Sequence, residues 1–190
     1  MIDYKEHLEK KITQSTNVTK NILNEYKTIN TLMNTIFTTF DTNKKILICG
    51  NGGSAAESQH FAAEIVVRYK LNRIALPAVS LNTDTSILTA SANDFSYEDI
   101  FSRQIEALGS GGDLLICFST SGESPNILKA LKVAHKLNIN TALFTGKNFQ
   151  SINNIDHVIR VDSDETAFIQ EIHLFLIHFI CELIDNKYRS

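Results

Sequence analysis

Residues 113–126 read DLLICFSTSGESPN, and this stretch decides the fold class. Leu114 to Phe118 is a continuous apolar run that stops at Ser119, Thr120, Ser121 and Gly122. Ser124 and Pro125 then give the start signal of a helix, a hydroxyl at the cap and a proline at the first helical position. A strand without polar alternation is covered on both faces, the habit of a parallel sheet held between two helical layers. The same stretch outlines a phosphate cradle. It offers hydroxyl donors, a tight turn at Gly122, free amides and the positive end of a helix dipole. It contains no lysine, which separates it from a nucleotide P-loop. A capped, solvated turn would carry similar residues.

Outward from there the rhythm repeats. KKILICGNGGS, PAVSLNT and NTALFTG are short apolar runs that end in glycine or a small polar residue, and HVIRV at 157–161 is a weaker strand. A last helix is expected from about Thr166 to Asn186. The prediction is an α/β protein, a three-layer α/β/α sandwich on a mainly parallel sheet, with ligands at the carboxyl ends of the strands. Residues 2 to about 40 contain neither glycine nor proline. Their apolar residues (Ile12, Ile22, Leu23, Tyr26, Ile29, Leu32, Met33, Ile36, Phe37) recur at helical spacing. One or two long helices are predicted there, with an apolar stripe that must lie on the following layer or on another subunit. With 190 residues, 43% of them hydrophobic, and no linker, the chain reads as one domain over 1–190, of which 1–40 is the helical segment.

Composition narrows the partners. Eighteen basic residues against 21 acidic leave no footprint for nucleic acid or an anionic membrane. The charged start MIDYKEHLEKK lacks the apolar run of a secretory signal, and no stretch approaches the roughly 20 apolar residues that span a bilayer. A cytoplasmic location is expected. Cys49, Cys117 and Cys181 lie in apolar segments without metal-finger spacing, so they read as small buried hydrophobes.

Four further features carry chemistry. Gly50-Asn51-Gly52-Gly53-Ser54 is a glycine-rich strand-to-helix turn that matches neither the dinucleotide fingerprint, since Ala55 follows, nor a Walker motif. His60 and Glu64 stand four residues apart on one helical face, within reach of a shared metal or a reacting sugar, or as a plain solvated pair. Gln170, His173 and His178 are set into the apolar last helix. Gln170 and His178 are about 12 Å apart along its axis, so spacing alone makes His173 the better companion of Gln170. Ser91 to Tyr97 reads as a polar turn whose Asn93 and Asp94 could bond sugar hydroxyls, and Arg68 as a phosphate partner or a helix cap.

GNGGSAAESQHFAAE, ASANDFSYEDIFSRQIEALG, STSGESPNILKA, TGK and IQEIHLFLIH, in that order over nearly the whole chain, resemble the phosphoheptose isomerase family. The resemblance implies a flavodoxin-like SIS domain with a five-stranded sheet, a homotetramer with active sites between subunits, and one zinc ion per subunit. It implies isomerisation of sedoheptulose 7-phosphate to D-glycero-D-manno-heptose 7-phosphate through an enediol. That is the first step of nucleotide-activated heptose synthesis, which serves lipopolysaccharide, capsule or another glycan. By matching motifs, it gives His60, Glu64, Gln170 and His178 as metal ligands, with Glu64 and His178 as the acid–base pair. Ser119, Thr120, Ser121 and Ser124 would hold the phosphate. Asn51, Gly52, Gly53, Ser54, Asn93 and Asp94 would line the sugar site, with Glu64, Arg68 and Gln170 completing it, and His173 would be structural. One position departs from the pattern: Phe168 stands where relatives usually carry arginine. Non-catalytic relatives, a sugar-phosphate sensor or a replication-initiator-associating protein, share the fold, and the presence of all four metal-set residues favours the enzyme.

Overall fold

The computed structural model describes residues 3–150 and 153–189, so the first two residues of the expected helical segment and Ser190 lie outside it. Helix α1 (Tyr4–Asn21) opens where the Asp3 carboxylate accepts the amides of Lys5 and Glu6. A 3-10 turn, Ile22–Glu25, leads into α2 (Tyr26–Asp41). The strands are β1 (Ile46–Gly50), β2 (Ala78–Ser80), β3 (Leu114–Phe118), β4 (Asn140–Gly146) and β5 (His157–Val161). Between and after them come α3 (Gly53–Val66), α4 (Thr85–Asp94), α5 (Ser102–Leu108), α6 (Pro125–Lys136) and α7 (Thr166–Tyr188).

All neighbouring strands pair in parallel, in the order β2-β1-β3-β4-β5. The chain leaves β1 toward one edge and β3 toward the other, so the turns after these strands flank the switch point where such sheets bind ligands. Alternate strand residues feed opposite layers. Ile46, Ile48, Ile116 and Phe118 pack with Leu32, Ile36, Phe61, Ile65, Ile172 and Leu176 of α2, α3 and α7. Leu47, Cys49, Leu115 and Cys117 pack with Ile105, Ile127 and Leu131 of α5 and α6. Each such side chain withdrawn from water contributes about 1.5–3 kcal/mol, and strands sandwiched this way need no polar face. All three cysteines are buried and free, and Cys49 Sγ faces Cys117 Sγ at 3.5 Å across the β1–β3 register.

The N-terminal apolar stripe divides in two. Ile29, Leu32, Met33 and Ile36 of α2 are buried on the domain's own core, whereas α1 buries no residue and leaves Tyr4, Leu8 and Ile12 exposed. Two sequence expectations need correction. Ser91 to Asp94 is the end of a helix and not a turn, because the Asp84 side chain accepts the Ile87 amide and starts α4. Among the described residues, α7 is long and apolar enough to cross a membrane, where the sequence reading saw no such stretch. Half of that span is buried inside the protein, as a helix serving the core requires.

Candidate active site

At the switch point the turns after β1 and β3 and the start of α7 enclose a cleft of about 280 Å³. Asn51, Gly52, Gly53 and Ser54 line it from one side, Ser119, Thr120 and Ser124 from another, and Thr166 and Gln170 from α7, over a floor that includes Phe118. Three helices therefore begin at this cleft: α3, α6 and α7. Their cap residues Gly52, Ser124 and Glu165 make no side-chain capping bond, as is also the case for α2 and α5, while Asp3 and Asp84 cap α1 and α4. Apart from the Ile127 amide, which donates to Asn126 Oδ1, first-turn amides not capped by side chains, with the positive dipole ends behind them, suit an anion. Among the described residues, no lysine or arginine lines the cleft.

Local geometry explains the glycines. Gly52 has φ +57°, the left-handed region in which a side chain is strained. A Cβ on Gly53 would collide with the Gln170 side-chain amide. The two turns are tied by a reciprocal amide pair, Asn51 Nδ2 donating to Asn126 Oδ1 at 2.9 Å and Asn126 Nδ2 to Asn51 Oδ1 at 2.8 Å. Asn126 and Thr166 were missed as site residues. Asn126 could have been noticed inside the quoted motif, but nothing one-dimensional singles out Thr166. Ser119 Oγ accepts the Gly122 amide at 3.2 Å and lies 3.2 Å from Ser124 Oγ, so these hydroxyls are already aimed together. Ser121 faces an adjoining cleft shared through Thr120 and Thr166.

From the cleft, α3 and α7 run side by side in the same direction, and their contacts form a seam with four levels. At the first, Gly53 abuts Gln170. At the second, His173 Nδ1 is 3.8 Å from Glu57 Oε2. At the third, His60 Nε2 and His178 Nε2 are 3.0 Å apart, with Glu64 Oε1 3.7 Å from His60. Beyond the end of α3 the buried Asp185 carboxylate accepts the amides of Lys70 and Leu71 and the Arg73 guanidinium at 2.6–2.8 Å. Seven residues of α3 separate Gly53 from His60, roughly 10 Å of helix rise.

The third level gathers three titratable side chains. Burial, and then the neighbouring His60, holds His178 below the ordinary histidine range, so its ring is neutral near pH 7 and can accept a proton. Tyr69 stacks on it with ring centroids 5.3 Å apart. Among the described residues no three His, Cys, Asp or Glu side chains yet converge tightly enough for a metal ion. Their chemistry nevertheless fits one, since two facing imidazole nitrogens beside a carboxylate are a zinc-type donor set. Gln170 stands apart from them, two levels up the seam against Gly53.

Other expected site residues lie elsewhere in this chain. Arg68 is exposed, 3.5 Å from the Lys70 carbonyl, and does not line the cleft. Asn93 and Asp94 are exposed at the end of α4 and bonded to each other at 2.8 Å. Phe168 is buried beneath Lys11 of α1, whose ammonium lies 4.7 Å from the ring centroid and 2.6 Å from Glu165. A cation thus reaches the start of α7 from α1.

Comparison with known proteins gives the family. Residues 11–146 match the SIS domain family model. Phosphoheptose isomerase 1 of Campylobacter jejuni is 54% identical over 145 residues, 76% of this chain and 78% of that protein. The structure of a phosphoheptose isomerase from Neisseria gonorrhoeae superposes with a TM-score of 0.87 at 35% identity, covering 96% of this chain and 98% of that one. One from Francisella tularensis gives 0.90 at 29% identity over 97% and 100%.

Proposed function

The chain belongs to the SIS-domain family and to its phosphoheptose isomerases, and from this premise we propose that it interconverts sedoheptulose 7-phosphate and D-glycero-D-manno-heptose 7-phosphate. The observation that carries the proposal is the layout of the α3–α7 seam. A neutral anion cradle stands at one end and a carboxylate–imidazole cluster roughly 10 Å farther along. An extended seven-carbon phosphate spans a distance on the order of 10 Å, so its phosphate can occupy the cradle while carbons 1 and 2 reach Glu64 and His178.

In the ketose-to-aldose direction Glu64 takes a proton from carbon 1 and returns it to carbon 2. His178 moves a proton from the carbon 1 hydroxyl to the carbonyl oxygen on carbon 2. The neutral His178 ring supports that role, since it can accept and then release a proton near neutral pH. Hydroxyls of Ser119, Thr120 and Ser124 and the amides at the helix starts fix the phosphate. His60, Glu64 and His178 would hold a divalent ion, zinc by donor type, with Gln170 as the fourth ligand that the family resemblance implies; when bound, the ion would polarise the carbonyl.

Assembly into a homotetramer is part of the reading. The bare α1 helix and the exposed Val66, Val67, Phe175 and Phe179 around the acid–base cluster support it, as surfaces a partner copy would cover. Asn93, Asp94 and Arg68 then have neighbouring subunits as their route to a site. We place the enzyme in the cytoplasm, where its sugar-phosphate substrate and three reduced thiols belong, at the first step of nucleotide-activated heptose synthesis.

The test is turnover of sedoheptulose 7-phosphate by purified protein, with product identified by NMR, before and after chelation and zinc addition. Zinc-dependent appearance of the heptose 7-phosphate is expected. Tight binding without turnover by metal-loaded protein would reject the isomerase.

A further inference from the structure

The second level of the seam is unused by the mechanism above, and its polar groups stand out. His173 is fully buried and Glu57 is only 8% exposed, yet both ring nitrogens of His173 and Oε2 of Glu57 lack a hydrogen-bond partner. Buried polar groups without partners are rare, and each one calls for an explanation. Packing alone does not supply it. The His173 ring packs against Phe118 and Phe144, at centroid distances of 5.5 and 5.9 Å, a setting in which a phenylalanine would sit without any polar penalty.

The location suggests a purpose. Phe118 is part of the floor of the cleft, so His173 lies directly beneath the substrate site. Glu57 lies on α3 between Gly53 and His60, and His173 on α7 between Gln170 and His178. The pair is thus the one level that separates the phosphate end of the seam from its acid–base end. At 3.8 Å the Nδ1 to Oε2 distance is too long for a hydrogen bond, and less than 1 Å of closure along the seam would make one.

We propose that Glu57 and His173 are a positioning pair for the isomerase site, closing into an Nδ1–H to carboxylate hydrogen bond that sets the register of α7 against α3. The pair thereby fixes where His178 on α7 stands against His60 and Glu64 on α3. It touches no reacting atom and acts through the two helices. This inference rests on the isomerase reading for its kinetic consequences, while the hydrogen bond itself does not.

Full-length His173→Phe keeps the ring's volume against Phe118 and Phe144. It should fold with little change in Tm, bind inorganic phosphate at the cradle within about twofold of the parent, and lose roughly tenfold or more in kcat, as expected for misplaced reacting groups. Glu57→Leu should lose a similar factor, Glu57→Gln should recover most of it by restoring an acceptor for Nδ1–H, and the double variant should be no worse than either single one. A His173→Phe enzyme with kcat within twofold of the parent, or losses that multiply in the double variant, would overturn the proposal. Should His173→Phe fail to fold, nitrogen-15 NMR of the parent's histidine rings decides instead. With inorganic phosphate bound, His173 must show a hydrogen-bonded Nδ1–H, and a ring with both nitrogens free refutes the pair. Absence of turnover by the parent protein sinks the isomerase reading alone, because the NMR arm needs no turnover.

Discussion

The two ends of the α3–α7 seam are built on opposite principles. The end we assign to the phosphate is lined by neutral donors, hydroxyls and helix-start amides, and one chain supplies a cleft with its hydroxyls already aimed together. The end we assign to acid–base chemistry gathers titratable groups, His60, Glu64 and His178, partly exposed among Val66, Val67, Phe175 and Phe179. A group that holds a fixed charge can be assembled early and rigidly. Groups that must exchange protons need tuned surroundings, and here those surroundings include apolar surface that one chain leaves open.

Glu64→Gln should break the acid–base end alone, lowering kcat by roughly 10²–10⁴-fold with phosphate inhibition unchanged; steady-state kinetics with inorganic phosphate as inhibitor separates the two. Near-normal kcat in a folded variant would remove Glu64 from the mechanism. Asp185→Asn should loosen the clamp that follows α3, at a cost of about 3–5 kcal/mol, because the buried Arg73 charge loses its partner; thermal melts will show whether the loss is that large. The same clamp sets an acid limit. Burial pushes the Asp185 carboxyl up, but the Leu71 and Lys70 amides and the Arg73 guanidinium outweigh it and hold it below the ordinary carboxylate range. Its stabilisation is therefore complete above the unfolded value of about 3.9 and lost as pH falls through the depressed folded value. Acid unfolding followed by circular dichroism should shed that limb in Asp185→Asn.

The converse experiment is Ser119→Ala with Ser124→Ala. It should weaken inorganic phosphate binding by about 1.5–3 kcal/mol, tenfold or more, and raise KM while sparing kcat. A fall in kcat instead would show that the two ends are not separable. Smallest in direct chemical effect, Phe175→Glu with Phe179→Glu should shift the assembly state in ultracentrifugation. If the copies still associate and turnover is intact, the open apolar surface is not where they meet.

How far the sequence could be read follows from the range of each signal. Strand β3, its serine-rich turn and the Ser124-Pro125 helix start are written in consecutive residues and were legible, as were the other strands and α7. Helix α4 was not, since TSILTASAND lacks an amphipathic stripe and its end looks like a turn; the decisive bond, Asp84 to the Ile87 amide, is a single cap. Spacing along α7 favoured His173 as companion of Gln170. Yet the partner that distinguishes the histidines lies on α3, where His178 meets His60 and His173 meets Glu57. Residues 118 and 116 positions apart in sequence leave no local trace of such pairings. The resemblance named His178 but could not show that Gln170 stands two levels away.

That no lysine or arginine among the described residues lines the cleft also bears on throughput. The phosphate is chemically identical in ketose and aldose, so the cradle's direct attraction for it stabilises reactant, transition state and product alike and serves kcat only by placing carbons 1 and 2. A lysine there would deepen that common well and lengthen the residence of product as much as of substrate. A neutral grip gives a site with rapid exchange in both directions, which suits a reaction whose two sides differ only in the placement of a carbonyl.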